Sequence, residues 1–464
     1  MIYPSKVGEK GDSLLKKYDV IIVGSGPGGY TSAIRAAQLG KKVAIVEKEK
    51  TGGSCLNVGC IPSKTLLNFG KMLEDMRKVK RWGIKTDNII IDFEESMQRK
   101  DEVVQTLAAG IESLLKKNKI AFYQGEAKVK DDLTVIIGDQ KLKGKDILLA
   151  TGSKPFIPPI KGLEAIDFMT TDTFFNIKEL PKSLSIIGGG VISVELATAM
   201  AALGTKVTII EVARDILLTE DADARNVVKK HLIKQGIDIF TDATITEVKQ
   251  GKVLLENEII TFDKLLVATG RKPVVKLAKD LKLKMDENKQ FVKVNHLYET
   301  SRRHVYAVGD LVGGYQLAHA ATAEGLVAVN AMSGETNKQV SQSDIPRCVY
   351  TFPEISSIGL SEDQAKDAGY DVKVVKSPFE GNGKAIADGE TDGFVKIISE
   401  TKYQEILGAV VVGANATELI SSIAGVKYAE GTVTELAHTI WPHPTMSETI
   451  WESASALFGQ AIHM

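Results

Sequence analysis

Two stretches of this 464-residue chain follow the same plan. The first opens with Tyr18-Asp-Val-Ile-Ile-Val, turns through Gly24-Ser-Gly-Pro-Gly-Gly29, continues in small residues and ends in Lys42-Val-Ala-Ile-Val-Glu47. The second runs Leu184-Ser-Ile-Ile, then Gly188-Gly-Gly-Val-Ile-Ser193, then an Ala-rich stretch, then Lys206-Val-Thr-Ile-Ile-Glu211. In both, the closing glutamate stands 23 positions after the first glycine. Strand, glycine turn, helix and a second strand ending in an acid make up the dinucleotide-binding βαβ unit, present here twice. Gly24 and Gly188 permit the tight turn, and Gly26 and Gly190 let the backbone approach a pyrophosphate with no Cβ between. Gly28 and Gly29 complete the first turn; the second has Ser193 at the last glycine position, small enough to keep helix and strand close. The phosphates meet a helix N-terminus, whose N–H groups and dipole favour an anion. Glu47 and Glu211 are placed to hydrogen-bond a ribose diol.

The length suggests about three domains. A hydrophobic content of 44% and a charged content of 25% are those of a globular chain. The net charge of −1 gives no reason to expect nucleic acid or an anionic membrane as partner. No apolar run reaches the length of a membrane span. Residues 1–17 lack the apolar core of a signal peptide and read as a flexible extension before the strand at Tyr18. With only three cysteines, the setting expected is cytoplasmic.

Two later segments also echo each other. Ile147-Leu-Leu-Ala-Thr-Gly-Ser153 and Leu265-Leu-Val-Ala-Thr-Gly-Arg271 each end a strand-like run in Thr-Gly, at Thr151-Gly152 and Thr269-Gly270. A third strand-turn follows at Val305-Tyr-Ala-Val-Gly-Asp310, and after Ser341 strands and helices alternate without a glycine fingerprint. The expected fold is α/β: Rossmann-like domains at 18–153 and 154–271, a return to the first at 272–340, and an α+β domain at 341–464.

Cys55 and Cys60 lie within Gly52-Gly-Ser-Cys-Leu-Asn-Val-Gly-Cys-Ile-Pro-Ser-Lys64. A loop this short contributes little as a structural cross-link. In one regular helix the two Cα atoms would be roughly 8–9 Å apart, beyond the reach of a disulfide. Bridging them requires a distorted turn, which Gly59 permits. The pair is either a redox dithiol that cycles or two inert thiols. With Cys348 remote and no Cys-x-x-Cys partner pair in the chain, zinc and other metals are not expected.

Two dinucleotide folds with this cysteine segment shortly after the first glutamate resemble the pyridine nucleotide–disulfide oxidoreductases, from about Tyr18 onward. The cysteine segment and His443-Pro-Thr-Met-Ser-Glu448 are most similar to the dihydrolipoamide-oxidising members. That resemblance implies one tightly bound FAD per subunit in the first fold and NAD+/NADH in the second. It implies that Cys55 exchanges with a dithiol substrate, that Cys60 faces the flavin, and that His443, oriented by Glu448, is the base. It assigns Gly24, Gly26, Gly28, Gly29, Glu47, Lys64, Thr151, Gly152, Asp310, Leu317, Ala318 and His319 to FAD. Gly188, Gly190, Glu195, Glu211 and Gly270 go with the nicotinamide fold, and Lys64–Glu195 matches a pair placed beside the flavin. The implied partners are lipoyl-bearing proteins of 2-oxo-acid dehydrogenase, acetoin or glycine-cleavage systems, and a second copy of the chain through the C-terminal domain. Glu211 favours NAD over NADP, because a carboxylate repels a 2′-phosphate. Basic residues would stand there in a glutathione-reductase-like chain. A soluble-transhydrogenase-like enzyme and a non-catalytic flavoprotein subunit are also compatible with the two nucleotide folds. His443 on its own also reads as a turn residue between Pro442 and Pro444, where a cis bond is possible.

Overall fold

The computed structural model describes residues 15–85, 88–335 and 339–463; residues 1–14 of the expected extension lie outside them. The chain forms two compact units. The first comprises the segment up to Asn57 with Gln105–Lys154 and Lys272–Val340; the second comprises Val58–Val104, Pro155–Arg271 and Ser341 onward.

The first unit is built on a seven-stranded sheet. Its spatial order is Ala121–Gln124, Val43–Glu47, Lys16–Val23, Gln140–Leu149, Thr134–Ile137 and Ala127–Val129, with Val305–Ala307 also paired to Gln140–Leu149. The strands around Lys16–Val23 are parallel, with Val20 opposite Val43 and Ile21 opposite Ile147. Val43–Glu47 is buried along its whole length, as expected of a parallel strand covered on both faces. The first strand begins at Lys16, two residues before Tyr18. Lys16 and Lys17 pair with Leu142 and Lys143 of the ten-residue neighbour, so ladder hydrogen bonds extend the strand while both lysine side chains stay exposed. The helix Pro27–Gln38 starts with proline in its first turn, where the missing N–H costs nothing. It crosses the helix Ala318–Met332 at Gly325, where a Cβ would fall 2.2 Å from Ser32 Oγ.

In the second unit a five-stranded parallel sheet runs Asp238–Phe240, Lys206–Ile210, Ser183–Ile187, Lys264–Val267 and Met169–Thr170. An antiparallel five-stranded sheet runs Arg347–Val349, Glu354–Gly359, Ile406–Gly413, Phe394–Glu400 and Val372–Pro378. Leu66, Val194, Ile209, Val349, Ile355 and Val412 share one core, so both sheets and the helix Cys60–Lys78 are packed together. That helix lies against Val191–Ala202 through Gly70, where a Cβ would sit 3.0 Å from Ala202 Cβ. Among the described residues, no helix is long and apolar enough to cross a membrane.

Candidate active site

Both glycine turns have the geometry their sequences require. Gly24 has φ +105°, and a Cβ there would lie 2.1 Å from the Ala150 carbonyl oxygen; Gly188 has φ +111°, with Ala268 O at 2.5 Å. Only glycine fits such positions. At Gly26 and Gly190 a Cβ would meet nothing within 4 Å, so each turn opens in front of the helix that follows. The helices Pro27–Gln38 and Val191–Ala202 have no side-chain cap and no acid in the first turn. Their leading N–H groups are thus free of an internal acceptor side chain. Ser193 is fully buried, and its hydroxyl donates to Ala268 O at 3.1 Å, keeping helix and strand close without the third glycine.

The closing glutamates turn inward. Glu47 Oε2 accepts the N–H and the hydroxyl of Ser25, both at 2.8 Å, and its Oε1 accepts the Glu49 N–H at 2.8 Å. Glu211 accepts the Gly189 N–H and, at 2.7 Å, the Ala213 N–H.

The cysteine segment begins on the first glycine turn. The Gly52 N–H donates to Ser25 Oγ at 3.2 Å. Gly53, at φ +64°, lies so close that a Cβ would be 2.7 Å from Gly26 Cα. Cys55 sits in the short helix Gly53–Val58, and Cys60 opens the helix Cys60–Lys78. Gly59 between them, at φ −136° and ψ −111°, ends one helix before the next starts. This interruption is the distortion that the five-residue spacing demands, and the two cysteines are joined in a disulfide. Asn57 steadies the first helix by donating to the Thr51 and Gly53 carbonyls at 3.0 and 2.9 Å. Cys348 is a free thiol, pushed up to about 11 by burial.

One helical turn beyond Cys60, Lys64 Nζ donates to Glu195 Oε2 at 2.8 Å and stands 4.4 Å from the Tyr350 ring centroid. The Tyr350 N–H donates to the other Glu195 oxygen at 3.0 Å. The ammonium is thereby held between a buried carboxylate and an aromatic face. In the first unit, Asp310 accepts the Ser153 hydroxyl from a one-turn helix, Gly309–Leu311. Thr151 Oγ1 and the Gly152 carbonyl both bond Val274, and Gly270 takes φ +105°. Leu317 is the N-cap of Ala318–Met332, with Ala318 and His319 its first residues.

His443 Nδ1 lies 2.9 Å from Glu448 Oε1, and the Thr445 N–H donates to Glu448 Oε2 at 2.8 Å. Burial acts to raise the Glu448 carboxyl, but the Thr445 N–H and His443 outweigh it and hold it below its ordinary value. An ionised carboxylate only accepts, so Nδ1 carries the proton toward Glu448 and Nε2 is left as the basic nitrogen. The His443 side chain is 79% exposed, and the His443–Pro444 bond is cis.

Residues 18–325 match the profile of the pyridine nucleotide-disulphide oxidoreductases, and residues 345–454 match that family's dimerisation domain. This chain belongs to that family. It is 39% identical to a dihydrolipoyl dehydrogenase of Bacillus subtilis across 96% of this chain and 99% of the relative. It is 40% identical to the dihydrolipoyl dehydrogenase of Geobacillus stearothermophilus, across 96% and 97%. Among solved structures, the Cu(II) complex of the HOCl-induced flavoprotein disulfide reductase RclA from Escherichia coli superposes with a TM-score of 0.86. There the identity is 29%, covering 95% of this chain and 100% of that one.

A dinucleotide fits the first fold of this member: an open Gly26, an uncapped helix N-terminus and a buried acid at the strand end are what a pyrophosphate and a ribose need. Glu195, assigned from sequence with the nicotinamide fold, points its carboxylate at Lys64 and Tyr350. Two supporting residues were missed from sequence. Ser25 stands inside the fingerprint and was legible as the only hydroxyl in the turn. Tyr350 carries no local signal, because Glu195 is 155 residues away.

Proposed function

We propose that this chain is an NAD-dependent dihydrolipoyl dehydrogenase, converting dihydrolipoamide and NAD+ to lipoamide, NADH and a proton. The observation that carries this reading is the Cys55–Cys60 disulfide on a segment whose first residues rest on the glycine turn of a nucleotide fold. The two dihydrolipoyl dehydrogenases at 39% and 40% identity support the substrate.

The residue roles follow from thiol chemistry. A substrate thiolate attacks Cys55 Sγ, and Cys60 leaves as thiolate, giving a mixed disulfide. His443 Nε2 takes the proton of the attacking thiol, while Glu448 holds the ring in the required tautomer and stabilises its charged form. The second substrate thiolate then attacks the sulfur bonded to Cys55, closing cyclic lipoamide and releasing Cys55. The electron pair now resides on the Cys55–Cys60 dithiol. FAD, assigned to Gly24, Gly26, Gly28, Gly29, Glu47, Thr151, Gly152, Asp310 and the Leu317–His319 segment, supplies a two-electron carrier between that dithiol and NAD+. Lys64, fixed by Glu195 and Tyr350, holds positive charge close in sequence to Cys60.

NAD+ is assigned to Gly188, Gly190, Glu211 and Gly270. Glu211 is fixed by two backbone N–H groups, so a 2′-phosphate would meet a carboxylate that cannot swing away. The exposure of His443 and the match to a dimerisation domain support a homodimer in which His443 serves the neighbouring subunit's disulfide. Lipoyl arms of a 2-oxo-acid dehydrogenase, acetoin or glycine-cleavage system are the proposed partners, in the cytoplasm.

Anaerobic titration with dihydrolipoamide tests the assignment. We expect NADH formation and a long-wavelength charge-transfer band that Cys60→Ser abolishes and Cys55→Ser retains. A flavin that stays oxidised and silent would refute it.

A further inference from the structure

Glu324 is a buried acid that none of the roles above uses. It lies within the helix Ala318–Met332 and is 2% exposed. Its Oε2 accepts the Gly309 N–H at 2.7 Å. Gly309, at φ +72°, begins the one-turn helix that carries Asp310. Burial pushes the Glu324 carboxyl up to about 7, with Asp310 adding in the same direction and the Gly309 N–H opposing. An acid so placed disfavours its own charged form. What it supplies is an acceptor for the Gly309 N–H, which an apolar side chain of the same size would leave unsatisfied. A positioning role accounts for what burial alone does not.

The neighbours of Glu324 show what it positions. Gly325 packs on the helix Pro27–Gln38, where a Cβ would fall 2.2 Å from Ser32 Oγ and 2.8 Å from the Gly28 carbonyl oxygen. Ala321, one turn earlier, faces both glycine segments. A Cβ on Gly28 would lie 3.1 Å from the Ala321 carbonyl oxygen, and one on Gly309 would lie 3.2 Å from Ala321 Cβ. Ala321, Glu324 and Gly325 thus form one stripe braced against the Gly24–Gly29 turn and the Gly309–Asp310 turn together. Asp310 is held from its other side by the Ser153 hydroxyl.

We infer that Glu324 is a positioning residue for FAD. By holding the Gly309 N–H, it fixes the Asp310 turn to the same helix that braces the pyrophosphate turn, so one rigid element sets two contacts with the flavin nucleotide. This rests on the assignment of FAD to the first fold.

The test is the rate of FAD release from the holoenzyme, followed by recovery of flavin fluorescence, in Asp310→Ala, Glu324→Met and Glu324→Gln. Methionine fills the same space without an acceptor, whereas the glutamine amide oxygen can still accept the Gly309 N–H. A buried donor left unsatisfied should speed release in Glu324→Met by ~10–100-fold, and Glu324→Gln should restore a rate near that of the parent. The melting temperature of Glu324→Met should recover at saturating FAD, because binding to the native state offsets the loss by mass action. A fall in melting temperature that is the same at every FAD concentration, with release unchanged, would mean a purely structural role and would overturn the inference. If Asp310→Ala releases FAD no faster than the parent, the FAD assignment at this turn fails, and the inference fails with it. If only Asp310→Ala releases faster, the inference alone fails. Should Glu324→Met not fold, Glu324→Asp, whose carboxylate is withdrawn by one methylene, is the replacement probe with the same expected direction.

Discussion

Gly53→Ala should uncouple the disulfide from the first nucleotide fold with a single methyl group. Gly53 sits at φ +64°, and its Cβ would lie 2.7 Å from Gly26 Cα and 3.1 Å from Gly26 N. The left-handed conformation costs an alanine about 1–2 kcal/mol. The overlap is with backbone, which cannot rotate aside, and overpacking of this kind costs about 1–3 kcal/mol. The chain relieves both by withdrawing the helix Gly53–Val58 from the Gly24–Gly29 turn. If bound FAD requires the two together, about 2–5 kcal/mol should appear as a ~30- to 5,000-fold weaker FAD affinity. Gly110→Ala is the control: Gly110 is exposed in the helix Phe93–Lys117 with nothing within 4 Å of its Cβ. That change should stabilise the chain by about 0.5–1 kcal/mol. The assay is the flavin-to-protein ratio after gel filtration, together with the rate at which dihydrolipoamide reduces the Cys55–Cys60 disulfide. Full FAD content and an unaltered reduction rate in Gly53→Ala would refute the coupling.

Tyr350→Phe should be silent and Tyr350→Leu should not, because Tyr350 meets Lys64 through its ring face, which Phe keeps; a loss of about 0.5–2 kcal/mol should slow disulfide reduction in stopped flow with FAD content unchanged. His443→Gln should lower kcat/KM for dihydrolipoamide by ~10²–10⁴, and Glu448→Ala should fall between it and the parent, both with full FAD. Glu324 sets a pH dependence of stability. Its folded value near 7 lies above the ordinary carboxyl value, so the folded chain binds the extra proton. Its contribution is complete below the ordinary value and is lost as pH rises through about 7, with Asp310, the Gly309 N–H and buried Tyr298 the groups that face it. Against Glu324→Gln, the parent should lose on the order of 2–3 kcal/mol between about pH 5 and about pH 8 in denaturant unfolding; parallel curves would refute it.

What was legible in the sequence was local. The duplicated fingerprint could be read because each βαβ unit fits within about thirty residues and its glycines are forced by backbone geometry. The break at Gly59 could be read because five residues of regular helix put two cysteines out of reach. His443 and Glu448 were legible because they lie five residues apart on one turn. Contacts made by folding across the chain were not. Tyr350 meets Lys64 and Glu195 only when the strand Arg347–Val349 packs beside two helices of the second unit. Glu324 reads as one more charged residue in a helix until the helix is seen to lie against the Gly309 turn. Lys16 and Lys17 read as tail because charge suggests exposure, yet exposed side chains are compatible with a paired backbone.

Ser25 shows why the fingerprint and the cysteine segment are one device in this chain. It is fully buried, and it donates both its N–H and its hydroxyl to Glu47. With its proton committed to Glu47, Ser25 Oγ is left as acceptor for the Gly52 N–H. The order of polarity is therefore fixed: Gly52 donates to Ser25, and Ser25 donates to Glu47. Ser25→Ala would remove the hydroxyl that links the two, taking away the Gly52 N–H acceptor and one of the bonds to Glu47. The segment that carries the redox disulfide is thus tied, through Gly52 and Ser25, to the same carboxylate that closes the nucleotide fold.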